Sequence, residues 1–397
     1  MKRLWDKGTP LDDRVLQFTA GEDHALDERL VRYDVLASIA HARMLVTRGL
    51  LSQEHFALIE RGLADVGAEH ARGDWRIELA DEDGQTALEK RLTAKIGAAG
   101  GRIHVGRSRN DQVLTALRLY LKDAAGALAA ATDNVVATLD ALADGPQGKI
   151  AIPGYTHMQQ AMPSSVSLWA GGFASELRDD AAGLRAVLRR IDRSPLGSAA
   201  GYGAPALRLD REATRAELGF ATVQQPVTAV QISRGKAESQ LLFEITLVMQ
   251  DLGRVASDLL LFYTQEFGFV KLPDAFTTGS SIMPQKRNPD VFELVRGRTA
   301  TAHGCLAEAL GIVAKLPSGY QRDLQLLKFP LFRGIDICGQ TLDIMAAALA
   351  EVTFDPAGIH MDPGIHAADE AYALVLQEGI PFREAYQRVA ARSKQRP

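Results

Sequence analysis

SQLLFEITLVMQDLGRVASDLLLFY, residues 239–263, is apolar over most of the circumference that it would present as a helix. A helix of this kind needs neighbours on several sides, because an ordinary surface helix has only one apolar stripe. At ~1.5 Å per residue the stretch is roughly 40 Å long. It therefore predicts the centre of an elongated helical bundle, in an oligomer whose bundles pack against copies of themselves.

Four more segments have the same long helical pattern, with apolar residues at i, i+3, i+4 and i+7. Proline is absent from their interiors, apart from Pro330 near the start of the last. Shorter helical patterns precede residue 105, at about 27–48, 52–72 and 85–96, and short ones return after residue 355. This order of long helical segments between two sets of shorter ones predicts an all-α protein with three domains, 1–109, 110–355 and 356–397. The five long segments are about 110–143, 164–193, 234–267, 290–315 and 322–352.

Composition excludes several classes of protein. The chain has 397 residues, a net charge of −4 and a pI near 6.2, which gives no electrostatic case for nucleic acid or an anionic membrane. Cys305 and Cys338 lie in apolar helical patterns and are expected to be buried free thiols in a reducing compartment. No apolar run follows the basic start MKRLWDKGTP, and no stretch of ~18 apolar residues occurs. We expect a cytoplasmic protein.

Three polar loops lie at the predicted entrances of long helices. The first loop is GRSRNDQV (106–113), the second is GYTHMQQAMPSS (154–165), and the third is GSSIMPQKRNPD (279–290). Helix N-termini present free N–H groups and a partial positive charge, which suit an anionic ligand. The three loops are therefore the candidate ligand-binding segments.

Each loop also has a purely structural interpretation. Ser108 followed by Asp111 fits an N-terminal capping box. His157 fits a hydrogen-bonded loop or core histidine, and Gly279 and Pro284 fit a connecting turn. The neighbouring arginines, amides, hydroxyls and Lys286 shift the balance toward carboxylate recognition, because guanidinium forks and amides bind carboxylates well.

The residues present limit the chemistry. No HxH, HExxH or CxxC spacing occurs, no glycine-rich phosphate loop occurs, and no GxSxG elbow occurs. Hydroxyl, imidazole, lysine and anion-binding groups remain. This set suits proton abstraction next to a carboxylate, where positive charge must stabilise an aci-carboxylate dianion. The residues alone predict an acid–base enzyme that acts on a carboxylate without a metal or other cofactor.

The third loop matches the pattern GSSxMPxKxN at residues 279–288, and in this it resembles the fumarase/aspartase superfamily. Within that superfamily the first loop resembles the SRSRNDQ motif of the argininosuccinate lyase family, and the second resembles its GYTHxQxAxP. The resemblance implies an all-α, three-domain subunit with a central five-helix bundle. It also implies a homotetramer with a 20-helix core, in which each active site takes its three loops from three subunits.

The resemblance further implies a cofactor-free β-elimination of argininosuccinate to arginine and fumarate. Ser280 is then the general base that removes the Cβ proton, and His157, oriented by Glu293, is the acid or proton relay. The reverse assignment, with histidine as base and serine as donor, stays open. Lys286 stabilises the carbanion. The implied substrate-binding residues are Ser108, Arg109, Asn110, Thr156, Asn288, Tyr320, Gln325 and Lys328.

The chain departs from the family pattern at several positions. Gln85 follows Glu82-Asp83-Gly84 where the family has a histidine, and Gly21 stands where it has a substrate-contacting serine. Residues 225–234 differ from the family's NSLDAVSDRD, and Leu4–Gly8 differs from its LWGGRF. These changes fall where the arginine half of the substrate would be recognised, so they bear on substrate fit rather than on elimination.

Other functions remain as alternatives. Fumarase would show MPGKVN rather than MPQKRN, and adenylosuccinate lyase would lack SRSRNDQ. A non-catalytic, crystallin-like relative is disfavoured by the joint presence of Ser280, His157, Lys286 and Glu293, although Gln85 keeps it open.

Overall fold

A computed structural model describes residues 12–393 of the chain. The molecule is 71% helical with few short strands, which confirms the all-α prediction. The departure at Leu4–Gly8 lies outside the described residues. The division at residues 109 and 355 stays a prediction.

Short helices make up the first hundred residues. Ser52 begins the fourth helix by accepting the N–H of His55, and Gly73 ends it in the left-handed conformation, at φ +82°. Only a residue without Cβ adopts that conformation at little cost. The helices are α1 (Asp13–Ala20), α2 (Asp23–Leu26), α3 (Val31–Thr47), α4 (Gln53–Arg72) and α5 (Gly84–Ile96), with 3₁₀ turns at Asp27–Leu30, Leu79–Asp81 and Gly97–His104.

All five predicted long helices form. The first has 36 residues, and its apolar positions Leu114, Leu117 and Leu121 are buried. The last begins later than predicted, because residues 322–327 form a 3₁₀ turn. The second also begins later, because residues 164–165 belong to a strand. The five are α6 (Arg109–Asp144), α7 (Val166–Ala186), α11 (Lys236–Tyr263), α12 (Asp290–Val313) and α13 (Lys328–Glu351).

Short elements connect the long helices. Strands β1 and β2 pair antiparallel, β3 and β4 pair parallel, and β5 and β6 pair antiparallel. The remaining helices are α8 (Leu188–Ile191), α9 (Arg211–Glu217), α10 (Thr228–Ile232), α14 (Ala367–Glu378) and α15 (Phe382–Ser393). The strands are β1 (Ala151–Thr156), β2 (Gln159–Ser165), β3 (Arg193–Ser194), β4 (Thr222–Val223), β5 (Val270–Lys271) and β6 (Thr353–Phe354).

The chain divides into two compact units. Among the described residues, the first comprises 12–129, 183–246 and 302–336, and the second comprises 130–182, 247–301 and 337–393. One apolar core of the first unit joins α3, α4 and α5 through Leu45, Ile59, Leu63 and Leu88, all nearly inaccessible to solvent. Burying each such side chain contributes about 1.5–3 kcal/mol. The same core includes Ile103, shortly before the first loop.

An aromatic cluster organises the second unit. Trp169 lies edge-on to Phe354, with ring centroids 5.7 Å apart, and Phe262 packs between Trp169 and Phe269. The indole Nε1 of Trp169 donates to Asp258 over 2.9 Å, so the partly buried ring keeps its polar atom satisfied. This cluster fixes β5 and β6 beside the C-terminal part of α11.

Cys305 and Cys338 are free and buried, as predicted. Burial raises the pKa of the Cys338 thiol to about 12. Between residues 12 and 393 no helix combines the length and the apolar character that crossing a bilayer requires.

Candidate active site

The first loop has buried residues at both ends and partly exposed residues between them that face a cavity. Arg107, Asp111 and Gln112 are buried, whereas Ser108, Arg109 and Asn110 are partly exposed. The predicted capping interaction forms: Ser108 N donates to Asp111 Oδ1 over 3.0 Å, and the Ser108 hydroxyl accepts the N–H of Asn110 at 3.3 Å. The structural and functional interpretations of this motif are therefore compatible.

Asp111 fixes the loop to a distant part of the first unit. Its Oδ2 accepts the N–H groups of Gly197 and Ala199, at 2.9 and 2.8 Å. Burial raises the pKa of Asp111 to about 6, and these backbone hydrogen bonds act in the opposite direction. The carboxylate thus pins the start of α6 against the turn that follows β3.

A cavity of about 120 Å³ opens beside the first loop. Its walls carry both signs of charge, which suits a zwitterionic ligand. Five predicted substrate-binding residues lie together here: Arg109, Asn110, Tyr320, Gln325 and Lys328. The other lining residues are Asp23, Glu82, Asp83, Gln85, Val113, Arg234 and Arg322.

Arg109 is held by the acidic turn before α5. Its Nη1 lies 2.7 Å from Asp83 Oδ2 and 3.8 Å from Glu82 Oε2. Asp83 also caps α5 by accepting the N–H of Thr86 at 2.8 Å. The guanidinium therefore enters the cavity from a fixed direction, with a third of its side chain still exposed.

Lys328 is buried between two aspartates. Its Nζ lies 2.6 Å from Asp27 Oδ1 and 3.0 Å from Asp23 Oδ1. Burial lowers the pKa of Lys328, but the attraction of Asp27 and Asp23 outweighs it, so the pKa is raised and the ammonium stays charged. Burial also raises the pKa of Asp23 to about 6, against the attraction of Lys328. Asp27 Oδ2 accepts the N–H of Gly84 at 3.0 Å, which connects α5 to this cluster.

Gln325 contacts the segment that departs from the family pattern. Its Nε2 donates to the carbonyl oxygen of Thr19 at 2.9 Å, and Arg322 donates to the same oxygen at 2.8 Å. Gly21 ends α1 at φ +51°, a conformation that a serine would adopt only with strain. At position 21, where the family has a serine, the backbone therefore has a conformation that favours glycine.

Two buried side chains in the cavity wall carry donor atoms without a hydrogen-bond partner among the described residues, although Arg234 Nε lies 3.9 Å from Glu238 Oε1. Gln85 is 4% exposed and Arg234 is 6% exposed. Within residues 12–393, Gln85 Nε2 and the Nε and Nη1 atoms of Arg234 have no hydrogen-bond partner. Such groups are uncommon in folded proteins and call for an explanation, such as water or a ligand. Both residues belong to segments where the chain departs from the family.

The third loop is closed at its base by backbone pairing. Thr278 N donates to Asn288 O at 3.0 Å, and Asn288 N donates to Thr278 O at 2.8 Å. The Thr278 hydroxyl also hydrogen-bonds to Asp290, the first residue of α12. Within the loop, Ser280 Oγ accepts the N–H groups of Met283 and Ile282, at 3.2 and 3.4 Å. These donors would favour an ionised serine oxygen.

A second cavity, of about 670 Å³, lies beneath the third loop. Lys286, Asn288 and Glu293 line it together with the end of α11. The Lys286 and Glu293 side chains are exposed, and Asn288 is half-buried. Lys286 of the loop and Glu293 of α12 carry opposite charges, and both line the same cavity.

The second loop directly precedes α7, as expected, but it is a β-hairpin rather than an irregular loop. It forms the hairpin of β1 and β2, with His157 and Met158 at its tip. Both have positive φ, 51° and 60°, as a two-residue turn requires when its twist matches the strands. The hairpin could not be predicted from the residue types, because neither tip residue is the glycine or asparagine typical of such turns. Thr156 and His157 are exposed.

The structure brings the predicted residues into three groups: the cavity at the first loop, the cavity at the third loop, and the hairpin tip. In the part of the chain described, no hydrogen bond or ion pair joins His157 to Glu293 or to Ser280. Ser108 lies beside the first group through its bond to Asn110. Four residues of this site were not predicted from the sequence: Asp23, Asp27, Arg234 and Arg322. The available signals were the four-residue spacing of the two aspartates and the departure of the segment 225–234 from the family pattern.

Comparison with known proteins identifies the family of this chain. A lyase family model matches residues 10–304. Argininosuccinate lyase from Sorangium cellulosum is 47% identical over 98% of this chain and 90% of its own length, and that from Thermotoga neapolitana is 42% identical over 98% of both. The chain belongs to the argininosuccinate lyase family.

Solved structures place this argininosuccinate lyase family member in the same fold as other fumarate-related lyases. EDDS lyase in complex with formate superposes with a TM-score of 0.78 at 25% identity, over 96% of this chain and 76% of that one. A class II fumarase from Schistosoma mansoni gives a TM-score of 0.81 at 17% identity, over 97% and 90%. At 17% identity the fumarase match concerns the fold alone.

Proposed function

We propose that this chain cleaves argininosuccinate reversibly to arginine and fumarate, the final step of arginine biosynthesis, without a cofactor. The observation that carries the proposal is the name shared by its relatives, argininosuccinate lyase. The proteins from Sorangium cellulosum, Thermotoga neapolitana and Xanthomonas campestris are 41–47% identical to this chain over 98% of its length. All three polar loops keep the residue types that this elimination needs.

The mixed charge of the first cavity supports recognition of the arginine half. Asp23 and Asp83 suit an α-ammonium or guanidinium group, whereas Arg109 and Arg234 suit a carboxylate. Tyr320, Gln325 and Lys328 complete the same wall. Thr156, Asn288, Ser108 and Asn110 are proposed to hold the succinyl half from the loops.

The elimination begins with proton abstraction. Ser280, as alkoxide, takes the Cβ proton, and the two electrons of that bond move toward the adjacent carboxylate to form the aci-carboxylate. The N–H groups of Ile282 and Met283 already point at this oxygen, which favours its ionised form. Lys286 balances the second negative charge of the intermediate.

Cleavage of the C–N bond completes the reaction. The intermediate expels the guanidino nitrogen, which takes a proton from His157, while the electron pair forms the double bond of fumarate. Glu293 is proposed to orient the imidazole and to stabilise its protonated form. The reverse assignment of base and acid predicts the same products.

Assembly would unite the three groups of residues. A homotetramer, with each site built from three subunits, is supported by large apolar side chains exposed on the long helices: Leu168 is 68% exposed, Leu294 63% and Leu310 51%. Apolar surface of this kind marks association faces. The buried free cysteines support a reducing, cytoplasmic location.

The test uses the purified full chain. Argininosuccinate is added and fumarate is followed by ultraviolet absorbance, with adenylosuccinate and malate as parallel substrates. Fumarate from argininosuccinate alone is the expected result. Fumarate from another substrate, or none from any in a folded oligomer, would overturn the proposal. Light scattering on the same sample measures the mass and tests the tetramer.

A further inference from the structure

A buried polar network lies beneath the first loop. Asp34 and Ser38 are one turn apart on α3, and Arg107 and Gln112 lie on either side of the segment Ser108–Asn110. All four side chains of this network are buried. None of them belongs to the cavity wall, and none has a role in the proposed reaction.

One carboxylate connects both ends of the segment. Gln112 Nε2 donates to Asp34 Oδ1 at 2.9 Å and lies 3.1 Å from Oδ2. The Ser38 hydroxyl donates to Asp34 Oδ1 at 3.4 Å and accepts from Arg107 Nη1 at 2.8 Å. Asp34 therefore holds Gln112 directly and Arg107 through Ser38.

The charges of this network depend on each other. Burial lowers the pKa of Arg107, and the attraction of Asp34 is the largest effect in the opposite direction. Burial also raises the pKa of Asp34 to about 6, with Arg107 and Gln112 opposing it. Asp34 and Arg107 are linked through the Ser38 hydroxyl, and removing a buried charge is costly for the opposite charge that it attracts. A neutral residue at position 34 would thus weaken the hold on the guanidinium, which would keep only the attraction of Asp111 and Glu89.

We infer that Asp34 is a positioning residue that sets the direction in which Arg109 and Asn110 enter the cavity. It does not touch the ligand; it fixes Gln112 and Arg107, the buried residues on both sides of the binding segment. The inference rests on the proposed function in one respect: Arg109 and Asn110 are taken to hold the substrate. A shift of the segment would weaken ground-state and transition-state binding alike, so it would raise KM more than it lowers kcat.

The test exchanges the two partners of the central hydrogen bond. Asp34→Asn removes the carboxylate, and Gln112→Glu places a second carboxylate against the first. The double variant restores one amide and one carboxylate with nearly unchanged shapes. We expect each single variant to raise KM for argininosuccinate about tenfold or more, with kcat changed less than about threefold. The double variant should recover most of the loss, as coupled neighbours do.

A second readout does not require activity. Amide hydrogen exchange of residues 105–112 should be faster in Asp34→Asn than in the wild type, and should slow again in the double variant. Asp65→Asn, at an exposed position of α4, is the matched control and should change neither quantity. A wild type that releases no fumarate would defeat the proposed function, whereas the exchange data would still decide the role of Asp34.

A folded Asp34→Asn protein with unchanged KM and unchanged exchange would overturn the inference. If that variant does not fold, Ser38→Ala replaces it, because this change keeps both charges and removes only the hydroxyl bridge to Arg107. Ser38→Ala should raise KM and speed exchange in the same residues. Wild-type values for both quantities in Ser38→Ala would also overturn the inference.

Discussion

Lys328 Nζ lies 2.6 Å from Asp27 Oδ1, although 301 positions separate the two residues in the chain. The Asp27 side chain is fully buried, and that of Lys328 is only 5% exposed. The pair joins the start of α13 to the 3₁₀ turn before α3 at the edge of the first cavity. It thus serves both the stability of the first unit and the shape of the candidate site.

Replacing Lys328 with methionine should destabilise the protein strongly. The change keeps the apolar stem but leaves Asp27 and Asp23 without their cation, and breaking a buried pair in this way costs about 3–5 kcal/mol. Urea unfolding at fixed protein concentration measures the effect. Lys149→Met, at an exposed position, is the control and should change stability by less than about 0.5 kcal/mol. Equal midpoints for both variants would show that the buried pair contributes little.

Replacing Ser280 with alanine should lower kcat about 10²–10⁴-fold, because the hydroxyl is the proposed general base. The neighbouring Ser281 is a matched control: it is exposed and lies in the same loop. Ser281→Ala should keep kcat within a few-fold of the wild type. Both variants should keep the mass of the wild-type oligomer. Wild-type turnover in Ser280→Ala would remove this serine from the mechanism.

Arg109→Lys should raise KM for argininosuccinate about 10–100-fold. Lysine keeps the charge but lacks the planar fork that binds a carboxylate through two hydrogen bonds, and it also loses the fixed geometry with Asp83. Steady-state kinetics measures the change. Arg102→Lys, on the exposed side of the 3₁₀ turn before the loop, should leave KM unaltered. A KM near the wild-type value in Arg109→Lys would argue against bidentate recognition.

Asp111 should make the protein less stable as the pH rises from about 4 to about 6. Its pKa is raised to about 6 in the folded state, so in this range the folded protein binds more protons than the unfolded chain. Stability from such a group is complete below its unfolded pKa and is lost as the pH rises through the folded pKa. A shift of this size corresponds to about 3 kcal/mol at most.

The experiment compares the wild type with Asp111→Asn across this pH range. The stability advantage of the wild type over the variant should shrink by about 1–3 kcal/mol between pH 4 and pH 7. Urea midpoints and slopes at several pH values give the difference. A constant difference would mean that Asp111 titrates normally in the folded protein. Asp13→Asn, at an exposed site, should show no trend.

The amino-acid sequence determined the helical framework, because helix formation depends on local spacing. The predicted 52–72 and 110–143 segments became Gln53–Arg72 and Arg109–Asp144, within a residue at each end. Ser52 and Gly73 mark one of these helices by capping chemistry that can be recognised in sequence. The residue types of the three loops likewise indicated the class of reaction, since proton abstraction next to a carboxylate needs a base, an acid and fixed cations.

Only the tertiary structure decided which polar residues meet. Asp27 with Lys328, Asp111 with Gly197, and Asp34 with Gln112 are contacts between segments far apart in the chain, and no local periodicity encodes them. The hairpin tip at His157 was hidden for a related reason. A positive φ at a non-glycine residue is unfavourable locally and is imposed by the pairing of the two strands, so it arises only when they come together.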